Sequence, residues 1–164
     1  MKYYLQYSDN IKSLTCIEPN KQFTDVLNSK STSFPINNYN LRFSEFVASS
    51  EKKVDKFDVI ILCLVLCSIE DPSEVIDECY KLLVPGGRLL VLEHVIDQES
   101  TQAMLMQYLF NPLWKIFGDN CCLTRQPFLH LRTMDWTDIS EQMIRVNKNK
   151  IPVLRQFYSC VATK

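Results

Sequence analysis

Three observations predict an α/β fold built on a parallel sheet for this 164-residue sequence. An unbroken apolar run, Val59 to Cys67, has the non-alternating character of a strand covered on both faces. A helical pattern with a marked start follows it: Asp71 can cap, Pro72 suits the first position, Glu74 stands three residues after the cap, and Val75, Ile76, Cys79, Leu82 and Leu83 fall on one stripe. Pro85-Gly86-Gly87 then end the helix and reverse the chain into a second apolar run, Leu89 to Leu92. Phe57 to Val95 is thus a strand–helix–strand crossover, which joins parallel strands in the right-handed sense and places helices on both sides of the sheet.

The remaining elements are read outward from this unit. Met1–Tyr7 (MKYYLQY) fits either a helix end or an edge strand. Ser13 to Ile17 is a short predicted strand, and the Glu18-Pro19-Asn20 corner starts a helix to about Leu27 with Phe23, Val26 and Leu27 as its apolar face. The Ser- and Asn-rich segment 28–40 reads as a loop, Leu41 to Val47 as the next strand, and Ala48 to Lys53 as a loop. After the crossover, helix signals run from Ser100 to Phe117 with a break at Asn111-Pro112, and the apolar density exceeds one stripe, which fits a core helix or the cover of a pocket. Thr124 is placed as the cap of a helix from Arg125 to about Met134. Gln142–Val146 and Phe157–Thr163 read as closing strands joined by an Asn-Lys turn.

With 46% hydrophobic residues the chain supports a sizeable core, and 18 basic against 19 acidic residues give no bulk charge that favours nucleic acid or an anionic membrane. Of seven cysteines, Cys63, Cys67, Cys79 and Cys160 lie in apolar segments as small hydrophobes, and the odd count favours a reducing, intracellular setting. Cys121-Cys122 has no CxxC partner and neither His94 nor His130 stands at ligand spacing to it, so no metal is expected. The longest apolar run is about half of the roughly 20 residues a bilayer crossing requires.

The segment DPSEVIDECYKLLVPGGRLLVLEHV resembles the end of the nucleotide-binding core of class I S-adenosylmethionine-dependent methyltransferases, where a helix closing in Leu-x-Pro-Gly-Gly enters the fifth strand. LVLCSIED, LLVLEHV and NPLWKIFGDNCCLTR are similar to the methyltransferase-like thiol S-methyltransferase branch of the type 11 methyltransferase domain, and the resemblance covers Ser13 to Lys164. It implies a Rossmann-like class I methyltransferase sheet with helices on both faces and a C-terminal antiparallel hairpin, within a single partial domain over residues 1–164. It also implies S-adenosylmethionine (SAM) as cofactor, no metal, and a small-molecule methyl acceptor, a thiol. Association with endoplasmic reticulum or lipid-droplet membranes comes from the resemblance alone; this sequence shows no anchor.

Site residues follow from the same resemblance. Glu18 in CIEPN, with Pro19 and Asn20, matches the family's CIDPN, whose acid accepts hydrogen bonds from the two ribose hydroxyls; a carboxylate has acceptor capacity for both. Its alternative is an ordinary charged residue at a strand end. Ser50 and Glu51 match the adenine-binding loop, with a solvated turn equally compatible. Cys63, Leu64 and Cys67 fall on the segment beside the methionine half, where packing is the default role for Cys67. His94 is a candidate for orienting substrate or acting as a base, set against a histidine satisfied at a strand end. No catalytic group is assigned.

Only Gly86, Gly87 and Gly118 occur, so the Gly-x-Gly-x-Gly loop that follows the family's first strand is not in this sequence. Aligning CIEPN backwards sets Met1–Tyr7 on the end of the first helix, so the first strand, its loop and most of that helix are expected to be absent. That strand lies mid-sheet, and its loss leaves two unpaired edges. Either Met1–Tyr7 partly fills the gap, or the halves close up, or the chain is an incomplete product of a longer gene, the reading favoured here. Cofactor binding is accordingly expected to be impaired or lost. The alternative function is a non-catalytic methyltransferase-like binding protein.

Overall fold

A computed structural model of the chain describes residues 9–29, 32–49, 56–146 and 152–164. These fall into two compact units, divided between residues 54 and 55. The assignments for Met1–Tyr7, for residues 50–53 of the loop read over Ala48 to Lys53 and for the Asn-Lys turn lie outside the described residues, whereas Ala48 and Ser49 are helical.

In the first unit, β1 (Leu14–Ile17) and β2 (Ile36–Tyr39) form a parallel pair, in register from Leu14 opposite Ile36 to Ile17 opposite Tyr39. Helix α1 (Lys21–Asn28) connects them, and Asn20 caps it as the corner sequence predicts, its side chain accepting the Gln22 N–H at 3.0 Å. None of the α1 side chains is buried, so the predicted apolar face of Phe23 and Val26 stays open. Two further expectations are corrected. The strand lies within the segment read as a polar loop, because INNY finds hydrogen-bonding partners on β1 that composition does not reveal. Leu41–Val47 is not a strand: Phe43–Ser49 forms helix α2. Glu45 accepts the Arg42 N–H at 2.7 Å, as an acid three residues into a helix can, and Phe43, Phe46 and Val47 recur at helical spacing. Phe46 is buried, edge-on to Tyr39 with ring centroids 5.0 Å apart.

The second unit holds a four-stranded sheet in the order β3-β4-β6-β5, from β3 (Phe57–Cys63), β4 (Leu83–His94), β5 (Asp138–Arg145) and β6 (Gln156–Thr163). The β3–β4 pair is parallel and the β4–β6 and β5–β6 pairs antiparallel, so both the crossover and the closing hairpin form. Helix α3 (Pro72–Leu82) starts as read, with Asp71 accepting the Ser73 and Glu74 N–H groups at 2.9 and 3.1 Å. It buries Ile76 and Cys79. A fully buried isoleucine contributes about 1.5–3 kcal/mol.

Pro85-Gly86-Gly87 does not separate helix from strand. β4 begins directly at Leu83, and the residues between Leu83 and Arg88 form a bulge opposite Phe57–Val59. Gly86 takes φ +77°, and a Cβ at Gly87 would lie 2.9 Å from the Val84 carbonyl and 3.2 Å from that of Asp58. The bulge is held by the end of β6: Gly86 N–H donates to Lys164 and Lys164 N–H returns to Gly87, both at 2.9 Å.

One sheet face packs Ile60, Leu62, Leu89, Val91, Tyr158, Cys160 and Ala162 against α3 and α5 (Pro127–Leu131), where Phe128 meets Tyr158 with centroids 5.5 Å apart. On the other face Val59 is 49% exposed and Ile61 42%, so β3 is not covered on both sides as its unbroken hydrophobicity suggested. Helix α4 (Thr101–Phe117) is continuous through Pro112 rather than broken there, and Leu109, Ile116 and Phe117 on it are exposed. Thr124 caps nothing: α5 is shorter than expected, Gln126 occupies its N-cap without a side-chain bond, and Pro127 opens it. Among the described residues, no helix is long and apolar enough to cross a membrane.

Candidate cofactor and substrate site

The predicted site residues lie in both units. In the first, Glu18 stands at the carboxyl end of β1, where its N–H continues the ladder to the Tyr39 carbonyl at 3.0 Å. Its carboxylate Oε1 accepts the Asn20 N–H at 2.8 Å. Asn40 clamps the corner from β2, its Nδ2 donating to the Glu18 and Pro19 carbonyls at 2.9 and 2.8 Å. A parallel strand end followed at once by a helix start is the place where open α/β sheets bind ligands. Ser50 and Glu51 lie outside the described residues.

In the second unit the segment after β3 is shaped by Glu93. That carboxylate is fully buried and accepts the N–H groups of Val65 and Leu66 on Oε1 at 2.7 and 2.9 Å, and that of Cys67 on Oε2 at 3.3 Å. Three consecutive amides converging on one acid hold the chain as it leaves the sheet. Leu64, immediately before them, takes φ 56°, a costly conformation for a leucine, and its N–H donates to the Leu92 carbonyl at 2.9 Å. Burial raises the Glu93 pKa above the ordinary carboxyl value, and the three backbone hydrogen bonds oppose that rise. Cys63 is exposed on the open face, its pKa raised by partial burial and by Glu93. Cys67 is buried.

His94 follows Glu93 and faces the opposite side of the sheet. Its Nε2 lies 2.9 Å from the Val153 carbonyl, which can only accept, so in the neutral ring Nε2 carries the proton and Nδ1 presents its lone pair. Gln107 of α4 braces the same region, donating to the carbonyls of Val153 and Val95 at 3.0 and 3.3 Å and accepting the Asp97 N–H at 2.7 Å. Asp97 is buried, accepts the Glu99 and Ser100 N–H groups, and pairs with Arg145 at 2.8 Å.

At the carboxyl end of β4 the structure directs the Glu93 carboxylate to the loop amides. Sequence reasoning missed Gln107 and Asp97 altogether. A polar residue inside an otherwise apolar helix was the available signal for Gln107. The structure joins the turn after α4 to the loop after β3, the Cys122 N–H donating to the Cys67 carbonyl at 2.8 Å. Among the described residues no group of three or more His, Cys, Asp or Glu side chains could hold a metal.

The parallel pairs with helical crossovers, the antiparallel C-terminal hairpin and an acid at the first strand end define the Rossmann-like methyltransferase class. A SAM-dependent methyltransferase from Methanosarcina mazei superposes with a TM-score of 0.62 at 16% identity, covering 98% of this chain and 86% of that one. The methyltransferase domain model matches residues 2–89, and the chain belongs to that methyltransferase family. The chain is 34% identical over 131 residues to thiol S-methyltransferase TMT1B of Homo sapiens, covering 77% of this chain and 52% of that protein. It is 31% identical to thiol S-methyltransferase TMT1A of Homo sapiens, covering 80% and 54%. It therefore spans about half the length of these relatives.

Proposed function

We propose that this chain carries part of a SAM-dependent methyltransferase site whose acceptor is a small thiol. The observation that carries the reading is Glu18: an acid at the carboxyl end of a parallel strand, oriented by the Asn20 amide, at the start of a helix. A carboxylate has about four lone-pair positions, so capacity remains for two ribose hydroxyls once Asn20 has taken one. Pro19 and Asn20 shape that corner, Cys63, Leu64 and Cys67 border the methionine half, and Ser50 and Glu51 belong to the adenine side. The acceptor class rests on the relatives named thiol S-methyltransferases.

When bound, SAM supplies a methyl group on a positively charged sulfur, open to in-line attack. The chain's own contribution is positioning: Glu18 grips the sugar and Glu93 holds the 64–67 segment in one conformation. The residues fit the sugar end better than the amino-acid end. No glycine precedes Gly86, so these residues do not supply a backbone that can approach the cofactor as closely as a Gly-rich loop does, and weakened affinity is part of the proposal. The same feature favours a second reading, a methyltransferase-like binding protein without turnover.

Calorimetric titration of the 164-residue chain with SAM and S-adenosylhomocysteine tests both. The expected result is measurable but weak binding that Glu18→Ala reduces about tenfold or more, since each hydrogen bond to a charged group is worth about 1.5–3 kcal/mol. Equal affinity of wild type and variant would remove Glu18 from the site. Binding without methyl transfer to 2-mercaptoethanol would support the second reading over the first.

A further inference from the structure

A helix on the surface of a protein ordinarily turns its apolar stripe to the core and its polar side to water, and α4 does the reverse. Its inward positions are polar and bonded. Gln107, 1% exposed, donates to the Val95 and Val153 carbonyls and accepts the Asp97 N–H, and Asn111 Oδ1 accepts the Leu123 N–H at 2.8 Å. Outward stand Leu105, Tyr108, Leu109, Leu113, Ile116 and Phe117, each between 53% and 78% exposed. At 3.6 residues per turn these six span about half of the helix circumference, and every residue from Leu105 to Phe117 that falls within that half is apolar or aromatic. Lys115 is the one charged residue of the helix and stands beside the margin of that half, about two turns on from Tyr108.

We propose that this outward half of α4 is a lipid-facing surface, seated in the headgroup–acyl boundary of a zwitterionic phospholipid layer with the helix axis parallel to the layer.

The breadth and the charge of the face select this occupant. A helix packed against another protein element buries a stripe of about 100°, and a coiled-coil seam is narrower still. Half a circumference of uninterrupted apolar side chains reaches too far round for one packed partner helix, whereas fluid acyl chains close around a convex shape. The stretch from Leu105 to Phe117 is about 20 Å long at 1.5 Å per residue, short of the roughly 30 Å of a bilayer core, so the helix lies along the surface. Tyr108 and Lys115 share one margin, and each carries its polar group at the end of an apolar body, which lets that group reach back to the headgroups. With no acid and a single cation among its 17 residues, α4 is neither repelled by anionic lipid nor dependent on it, and apolar burial is the driving term.

The test is flotation of the 164-residue chain with phosphatidylcholine vesicles. Wild type is expected to float with them, to nearly the same extent at low and high salt and with phosphatidylserine added, because screening acts on charges and not on apolar burial. Leu109→Glu/Ile116→Glu should weaken partitioning about tenfold or more, since a charge is costly among acyl chains. Those positions are 72% and 75% exposed, so the double variant should keep the wild-type circular dichroism spectrum. Val59→Glu, at an exposed apolar position of the sheet, should float as wild type does. Hydroxyl-radical footprinting of wild type gives a readout that needs no variant: Met106 and Met143 are 40% and 38% exposed, and vesicles should protect Met106 of α4 but not Met143 of β5. Absence of flotation, flotation that the double variant retains in full, flotation only with phosphatidylserine at low salt, or equal oxidation of Met106 with and without vesicles would overturn the proposal. A dimer in sedimentation velocity that the double variant abolishes, without any partitioning of wild type into vesicles, would give the face to a second copy instead.

Discussion

Replacing Glu93 by alanine removes one acceptor shared by three backbone donors, and the size of the loss follows from where those donors sit. Leu66 is 0% exposed and Cys67 3%, and their bonds to Glu93 are buried, whereas Val65 is 38% exposed and its bond only part-buried. A buried donor left unpaired costs about 1–3 kcal/mol, so Leu66 and Cys67 together set a loss of about 2–6 kcal/mol for Glu93→Ala. Glu93→Gln keeps a carbonyl oxygen for two of the amides and turns its NH2 group towards the third, which places its cost at about 1–3 kcal/mol. Urea unfolding of the full chain at pH 7 measures both. A Glu93→Ala loss under about 0.5 kcal/mol, the range of ordinary surface substitutions, would refute the assignment of Glu93 as the anchor of the loop.

The same residue carries a pH signature. Because burial raises its folded-state pKa above the carboxyl value of 4.5, folding favours the protonated form. That stability is fully present below the unfolded pKa and is lost as pH rises through the raised folded value. The stability of wild type relative to Glu93→Gln should therefore fall as pH is taken upward from about 4.5, with other carboxyl groups cancelling in the difference. A difference that grows over that interval would show that the three hydrogen bonds outweigh burial.

Further outcomes follow from the bulge and the helix start. Gly87→Ala should destabilise by about 1–3 kcal/mol because its Cβ meets two backbone carbonyls, whereas Gly86→Ala meets nothing within 4 Å and should cost about 1–2 kcal/mol for its positive φ alone. Thermal unfolding of the two variants tests that ranking. Asp71→Ala removes the acceptor of two α3 amides and should cost about 1 kcal/mol, read from urea midpoints; an unchanged midpoint would remove Asp71 as a functioning cap. In the cofactor titration, Glu18→Ala should weaken binding with no comparable loss of stability, because its carboxylate accepts a bond from the exposed Asn20 amide.

Much of the architecture is written locally. Asp71-Pro72 and its following stripe specify α3, the Asn20 corner specifies α1, and the apolar runs specify β3 and β4, because caps and hydrophobic periods act over a few residues. Those signals also sufficed to place Glu18 at a strand end. They failed where competing local signals were close in strength: LRFSEFV supports a slipped alternation as well as helical spacing, and burial of Phe46 against Tyr39 goes with the helix. They also overstated the cover on β3, since a run of valines and isoleucines reports what a strand tolerates on its two faces and not what packs there.

What the sequence by itself determined is the family, the crossover, and the type of acid at the β1 corner. Only the tertiary structure decided the partners of the groups with chemistry. Glu93 is separated from Val65, Leu66 and Cys67 by more than twenty-five positions, and no periodicity within either segment announces that the acid will meet those amides. Cys122 and Cys67, joined by a backbone hydrogen bond, come from the turn after α4 and the loop after β3, and His94 and Gln107, which share the Val153 carbonyl, come from a strand end and a helix. Such groupings depend on register and on where chain reversals return, quantities set by the packing of the whole sheet rather than by any residue's own preference.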